Sequence, residues 1–193
     1  MSLVTSDIQL DAAAVRVLAH PLRSRLLTTL RRDGPATATE LAERLDTNTG
    51  ATSYHLRKLE SVGLVSDTGE GEGKRRMWAT TSRSHSWKAS EFADDEDAQT
   101  SLGWLTRDYV RHAADQMYRW FDAEHAWPMP WRDSLGLSDE TVTATSDQLA
   151  ALHRELWEVI TRYRDAGEDA PEAQRVSVRL LLHPLNPDDA PER

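Results

Sequence analysis

The stretch from Ala38 to Val65, ATELAERLDTNTGATSYHLRKLESVGLV, constrains the fold of this chain more than any other. Thr37 and Glu40 have the spacing of a capping box, in which the Thr hydroxyl accepts a first-turn N–H and the Glu reaches back to the cap. The helix so opened buries Ala38, Leu41, Ala42 and Leu45, and Asp46-Thr47-Asn48 breaks it. Asn48 is a good N-cap for a second helix of about four turns that ends near Gly63, a residue suited to the left-handed C′ position. At about 100° per residue, that helix turns Thr52, His55, Leu56, Leu59 and Val62 to one side. Gly50, Ser53, Tyr54, Arg57 and Ser61 face the other way, with Ala51 and Lys58 flanking them. The first side is a core stripe. The second starts small and polar and becomes aromatic and cationic, which suits close approach to DNA: hydroxyls reach base edges or phosphates, and a guanidinium suits guanine or phosphate. A plain helical hairpin with a solvated face has the same local pattern, so the following residues decide between them.

Leu64 to Thr68 predicts a short strand, Gly69-Glu70-Gly71-Glu72-Gly73 a flexible turn, and Lys74 to Thr80 a second strand, KRRMWAT. A two-stranded ribbon with a Gly-rich tip and three consecutive cations is what a wing needs to follow a DNA backbone. The candidate DNA contacts are therefore Asn48, Thr49, Gly50, Ser53, Tyr54, Arg57 and Lys58 on the second helix, with Lys74, Arg75 and Arg76 on the wing.

The run LAHPLRSRLLTTL, then ATELAERL, then TGATSYHLRKLESVGLV, then the basic wing, resembles the ArsR family of winged helix-turn-helix regulators over about the first 90 residues. The resemblance implies a homodimeric operator binder, a repressor released from double-stranded DNA by a signal. Many members sense metals through cysteine pairs, and this chain has no cysteine. It is more similar to the longer actinobacterial members that carry an extra C-terminal region.

A chain of 193 residues allows one or two small domains. No apolar run reaches membrane-spanning length, the first residues lack the pattern of a signal peptide, and the absence of cysteine excludes disulfides and thiolate metal sites. The expected location is cytoplasmic, with no membrane partner. A net charge of −9 is unusual for a DNA binder, but it is unevenly spread. Residues 1–90 carry 13 Lys and Arg against 10 Asp and Glu, and residues 91–193 carry 10 against 22. The halves thus stand at +3 and −12, and the acidity lies away from the proposed DNA face.

In chain order, Leu10 to Ala19 and Leu22 to Arg32 predict the first two helices, separated by His20-Pro21. Arg23, Arg25, Arg31 and Arg32 are possible phosphate contacts, although most such cations are simply solvated. Ser82 to Ser90 reads as a polar linker. A long helix from about Asp97 to Ala126 carries Leu102, Leu105, Tyr109, His112, Ala113, Gln116 and Trp120 on one stripe. It is a plausible dimer helix, with Leu10, Val17, Leu102, Leu105, Tyr109, Ala113 and Trp120 as the candidate interface. Asp108 with His112, and Asp122 with His125, have chelating spacing but lie on different faces of the wheel, so no metal is expected.

Trp127-Pro-Met-Pro-Trp131 predicts a rigid aromatic corner, Thr141 to Thr145 a short strand, and Asp147 to Asp165 a helix burying Leu149, Leu152, Leu156, Ile160 and Tyr163. Arg175 to His183 alternates apolar and polar and predicts a half-buried strand. Trp120, Trp127, Trp131 and Trp157 are either core or the lining of a pocket for a small-molecule effector. The expected fold is α+β and mainly helical: a winged helix-turn-helix head over 1–92, a dimerisation helix over 93–127 and a helix-plus-strands region over 128–193. No P-loop, dinucleotide fingerprint, HExxH or nucleophile elbow is present, so neither an enzyme nor a cofactor is expected. The competing class is a winged-helix protein-interaction module that has no operator.

Overall fold

The computed structural model describes residues 5–71, 73 and 75–191. The fold is mainly helical with two small sheets, the α+β class expected. Contacts divide it into two compact units, Met1–Tyr118 and Arg119–Arg193.

The first unit begins with β1 (Thr5–Gln9), α1 (Ala12–Leu18) and α2 (Pro21–Asp33). Next come β2 (Ala36–Thr37), α3 (Ala38–Arg44) and α4 (Thr49–Glu60). It continues with β3 (Val65–Asp67), β4 (Met77–Thr80), β5 (Ser82–Ser86), a single 3-10 turn at Ala89–Phe92 and α5 (Glu96–Ala123). Its core joins Leu18 of α1, Leu26, Leu27 and Leu30 of α2, Leu41 of α3, and Leu56 and Leu59 of α4. Leu10, Trp78 of β4 and Phe92, Ala98 and Leu105 also belong to it, so the first half of α5 is part of the core of the head. Burial of this apolar surface is the main stabilising term.

Sheet order is β2-β4-β3, antiparallel throughout, and β3–β4 is the wing ribbon. Its strands are shorter than expected. Arg75 and Arg76 lie before β4 rather than within it, and Lys74 lies outside the described residues. The larger correction is the pairing of β1 with β5, parallel, with Asp7 opposite Ser84 and Gln9 opposite Ser86. The residues expected to form a linker, Ser82 to Ser90, are thus partly strand, and β1 lies just before the expected first helix. Leu10 is not helical: its N–H donates to the Ser86 carbonyl at 2.9 Å, and Asp11 caps α1 through its side chain. The reason lies in Asp7, whose carboxylate accepts the hydroxyls of Ser84 and Ser86, each at 3.0 Å.

The second unit contains the end of α5, a 3-10 turn at Glu124–Ala126, α6 (Met129–Ser134) and α7 (Ser146–Tyr163). The Trp127-Pro128 break ends the long helix as expected, but Pro130 then sits in the first turn of a new helix, where a missing N–H costs nothing. α7 opens on a capping box: Gln148 N–H donates to Thr145 Oγ1 at 3.3 Å and Thr145 N–H to Gln148 Oε1 at 2.9 Å. The strands expected over 141–145 and 175–183 do not form. Alternation alone gives no strand without an edge to pair with, and Val176, Val178 and Leu182 remain 50–60% exposed. The expected burial along α7 also fails, since Tyr163 is 72% exposed and Leu149 39%. Among the described residues, every fully buried apolar side chain lies at or before Leu105.

Candidate nucleic-acid interface

The turn between α3 and α4 fixes the site. Glu40 N–H donates to Thr37 Oγ1 at 3.3 Å, and Thr37 N–H donates to Glu40 Oε2 at 2.7 Å, so the capping box is complete. The donated Thr37 N–H, followed by its hydroxyl, holds the Glu40 carboxyl below its ordinary value. Asp46 then takes a left-handed conformation, φ +50°, and reverses the chain. Asn48 Oδ1 accepts from Ala51 N–H at 2.8 Å and starts α4, and Gly63 ends the segment at φ +71°.

Anchored this way, α4 sets Thr52, Leu56 and Leu59 in the core and leaves Asn48, Thr49, Gly50, Tyr54, Arg57 and Lys58 exposed, with Ser53 half-buried. Lys58 Nζ lies 5.8 Å from the centre of the Tyr54 ring, a cation–π contact along the exposed face. A cleft of about 200 Å³ brings Thr49, Ser53 and Arg57 of α4 together with Arg75 and Arg76 at the root of the wing. Thr37, Ala38, Thr39 and Trp78 close its other side. Sequence reading assigned Thr37 a capping role only. The spacing of the helix-turn-helix, which lays the start of one helix beside the next, was the signal that could have added Ala38 and Thr39.

The two wing arginines differ. Arg76 Nε lies 3.4 Å from Asp67 Oδ2, its Nη1 lies 3.8 Å from Glu60 Oε2, and its guanidinium stands 5.7 Å from the Trp78 ring centre. It braces the end of α4 against the ribbon. Arg75 is exposed, and its charge acts on Glu40.

Of the candidate dimer residues, Leu10 and Leu105 are spent on the core of their own chain, at 1% and 0% exposure. Val17, Leu102 and Tyr109 pack against that core as half-buried residues, and Ala113 is also half-buried. Arg31, one of the arginines considered for phosphate contact, turns inward instead. It donates through Nη2 to Ser82 Oγ at 3.1 Å, through Nε to Ser82 O at 3.3 Å and through Nη1 to His85 Nδ1. Arg32 is paired with Asp33 at 2.7 Å.

In the second unit, Trp120 meets Trp127 edge-on at 5.4 Å and Trp127 meets Trp131 edge-on at 5.8 Å. Trp157 has the Arg164 guanidinium as neighbour, 5.9 Å from its ring centre. Asp108 accepts the Ser24 hydroxyl at 2.9 Å. Neither it nor His112, Asp122 or His125 belongs to a group of three metal-ligating side chains among the described residues.

Residues 18–68 match a helix-turn-helix domain family. Over 54 residues the chain is 43% identical to the HTH-type transcriptional regulator NmtR of Mycobacterium tuberculosis (strain ATCC 25618 / H37Rv), a match that covers 28% of this chain and 44% of that protein. The chain thus spans less than half the length of that curated relative. No helix among the described residues is long and apolar enough to cross a membrane.

Proposed function

We propose that this protein is a sequence-specific DNA-binding transcriptional regulator, a homodimeric repressor of the ArsR type that acts from the cytoplasm. The observation that carries the reading is the cleft in which the exposed face of α4 meets Arg75 and Arg76 at the wing root. The matched helix-turn-helix domain over residues 18–68 and the regulator 43% identical over 54 residues support it. In this reading Asn48 to Lys58 enter the major groove and give base readout, while Lys74, Arg75 and the wing follow the flanking phosphates. A dimer sets two such heads on half-sites about one helical turn of DNA apart. Val17, Leu102, Tyr109, Ala113 and Trp120 are the candidates for that contact, joined by exposed Val110, Tyr118 and Phe121 on α5. Release from DNA follows a small-molecule effector at the tryptophans of the back region and uses no thiolate chemistry, since the chain has no cysteine.

Fluorescence anisotropy on the chain's own upstream DNA and on scrambled DNA, over a salt series, tests the reading. Selective binding with a steep salt slope, lost in Arg57→Ala, supports it. Equal, weak binding to both duplexes favours a winged helix that serves a protein partner.

A further inference from the structure

We propose that His20, Arg23, Tyr54 and His55 form a seat for one backbone phosphate of bound DNA, which makes the start of α2 a second contact beside α4. The inference rests on the DNA-binding reading above and extends it to an element outside the helix-turn-helix and wing.

The four side chains form one cluster. The His20 and His55 rings lie 4.4 Å apart, and the edge of Tyr54 meets His55 at 5.1 Å. Arg23, in the first turn of α2, lowers the pKa of both imidazoles by its charge, after the larger effect of burial, and itself interacts with Tyr54. Among the described residues, Arg23 Nε and His55 Nδ1 are buried without a hydrogen-bond partner.

The helix terminus is not the source of the site. Leu22 N–H is used by His20 Nδ1 at 3.2 Å, and the N–H groups of Arg23 and Ser24 are used by His20 O at 3.0 and 3.1 Å. The Arg23 guanidinium carries the positive potential. No carboxylate among the described residues acts on Arg23, His20 or His55. Asp108, which reaches the start of α2, is engaged by the hydroxyl of Ser24. Burying cationic and polar groups with no counter-charge is costly, and an external anion offsets that cost. Tyr54 is 54% exposed and stands one helical turn from Arg57, so it connects this cluster to the face of α4 that meets DNA. An anion at that edge is a phosphate of the same duplex.

The test is anisotropy of the full chain on its upstream duplex over a KCl series, with Arg23→Gln, Arg23→Met and Arg57→Ala, and thermal midpoints to verify folding. The seat predicts about five- to tenfold weaker binding in Arg23→Gln and a salt slope lower by about 1, with Arg23→Met alike. Arg23→Lys keeps the slope. A single methylphosphonate at the contacted phosphate weakens the native chain and leaves Arg23→Gln indifferent. If Arg57→Ala weakens binding while both charge-removing Arg23 variants keep the native slope, the seat is wrong and the DNA reading stands. If the native chain itself shows no salt-dependent binding, both fall.

Discussion

Tyr109 on α5 and His85 on β5 are joined by a hydrogen bond of 2.9 Å between the phenol oxygen and Nε2. Because the Arg31 guanidinium can only donate, His85 Nδ1 is an acceptor. The neutral ring therefore carries its proton on Nε2 and donates it to Tyr109. One imidazole thus links α2, β5 and α5.

This arrangement predicts acid sensitivity. Burial, and then the charge of Arg31, push His85 down to about 3. A folded pKa below the unfolded value means that the unfolded chain binds the extra proton. The stability is present above about pH 6.5 and is lost as pH falls toward 3, by up to about 1.4 kcal/mol per unit. His20 and His55 are lowered as well and act in the same direction. Thermal unfolding from pH 7.5 to 4.5 should show a shallower decline in His85→Asn than in the native chain. Parallel curves would remove His85 from the account.

Asp46 predicts an unusual substitution pattern. Its left-handed backbone, φ +50°, costs most side chains about 1–2 kcal/mol, which Gly avoids and Asn partly avoids. Asp46→Gly should match or exceed the native thermal midpoint, and Asp46→Val should lower it. A stable Asp46→Val protein would contradict the strained turn.

Leu56 lies on the core side of α4 at 0% exposure. Leu56→Ala should cost about 2–5 kcal/mol in urea unfolding and reduce DNA affinity only through the folded fraction. Loss of binding by a fully folded Leu56→Ala protein would show that α4 transmits packing changes to its exposed face.

Arg75 and Arg76 should separate in a salt titration. Arg75→Ala should reduce the slope of log affinity on log salt by about 1, since it is exposed at the cleft. Arg76→Ala should cost less than about 1 kcal/mol of stability, because its ion pairs are half-exposed, and should reduce affinity by releasing the ribbon from Glu60. Identical salt slopes for the two variants would contradict these separate roles.

The head was legible because its signals are local. Thr37 with Glu40, Asn48 and Gly63 specify helix ends within a few residues, and the Leu56–Leu59 stripe specifies which face is buried. β1 and β5 were not, because TSDIQ and SRSHS are polar and pair only with each other, far apart in the chain. Arg31 illustrates the same limit: no local pattern tells a cation on α2 that Ser82 and His85 will lie beneath it. In the back half the error was opposite. Residues 175–183 have the alternation of a strand but pair with no strand among the described residues, and α7 has an apolar stripe none of whose residues is fully buried.

The parallel ladder that sets Thr5 beside Ser82 also orders events in time. β1 is the first of these elements to be synthesised, and its partner arrives only after α1 to α4 and the wing have been made. Loop closure over that span is slow relative to forming the helices between. A nascent chain therefore makes α1 to α4 and the wing with β1 still unpaired, and the ladder that seams the head closes only after β5 has followed them. Extensions or fusions ahead of Thr5 should delay that seam more than they weaken the finished fold.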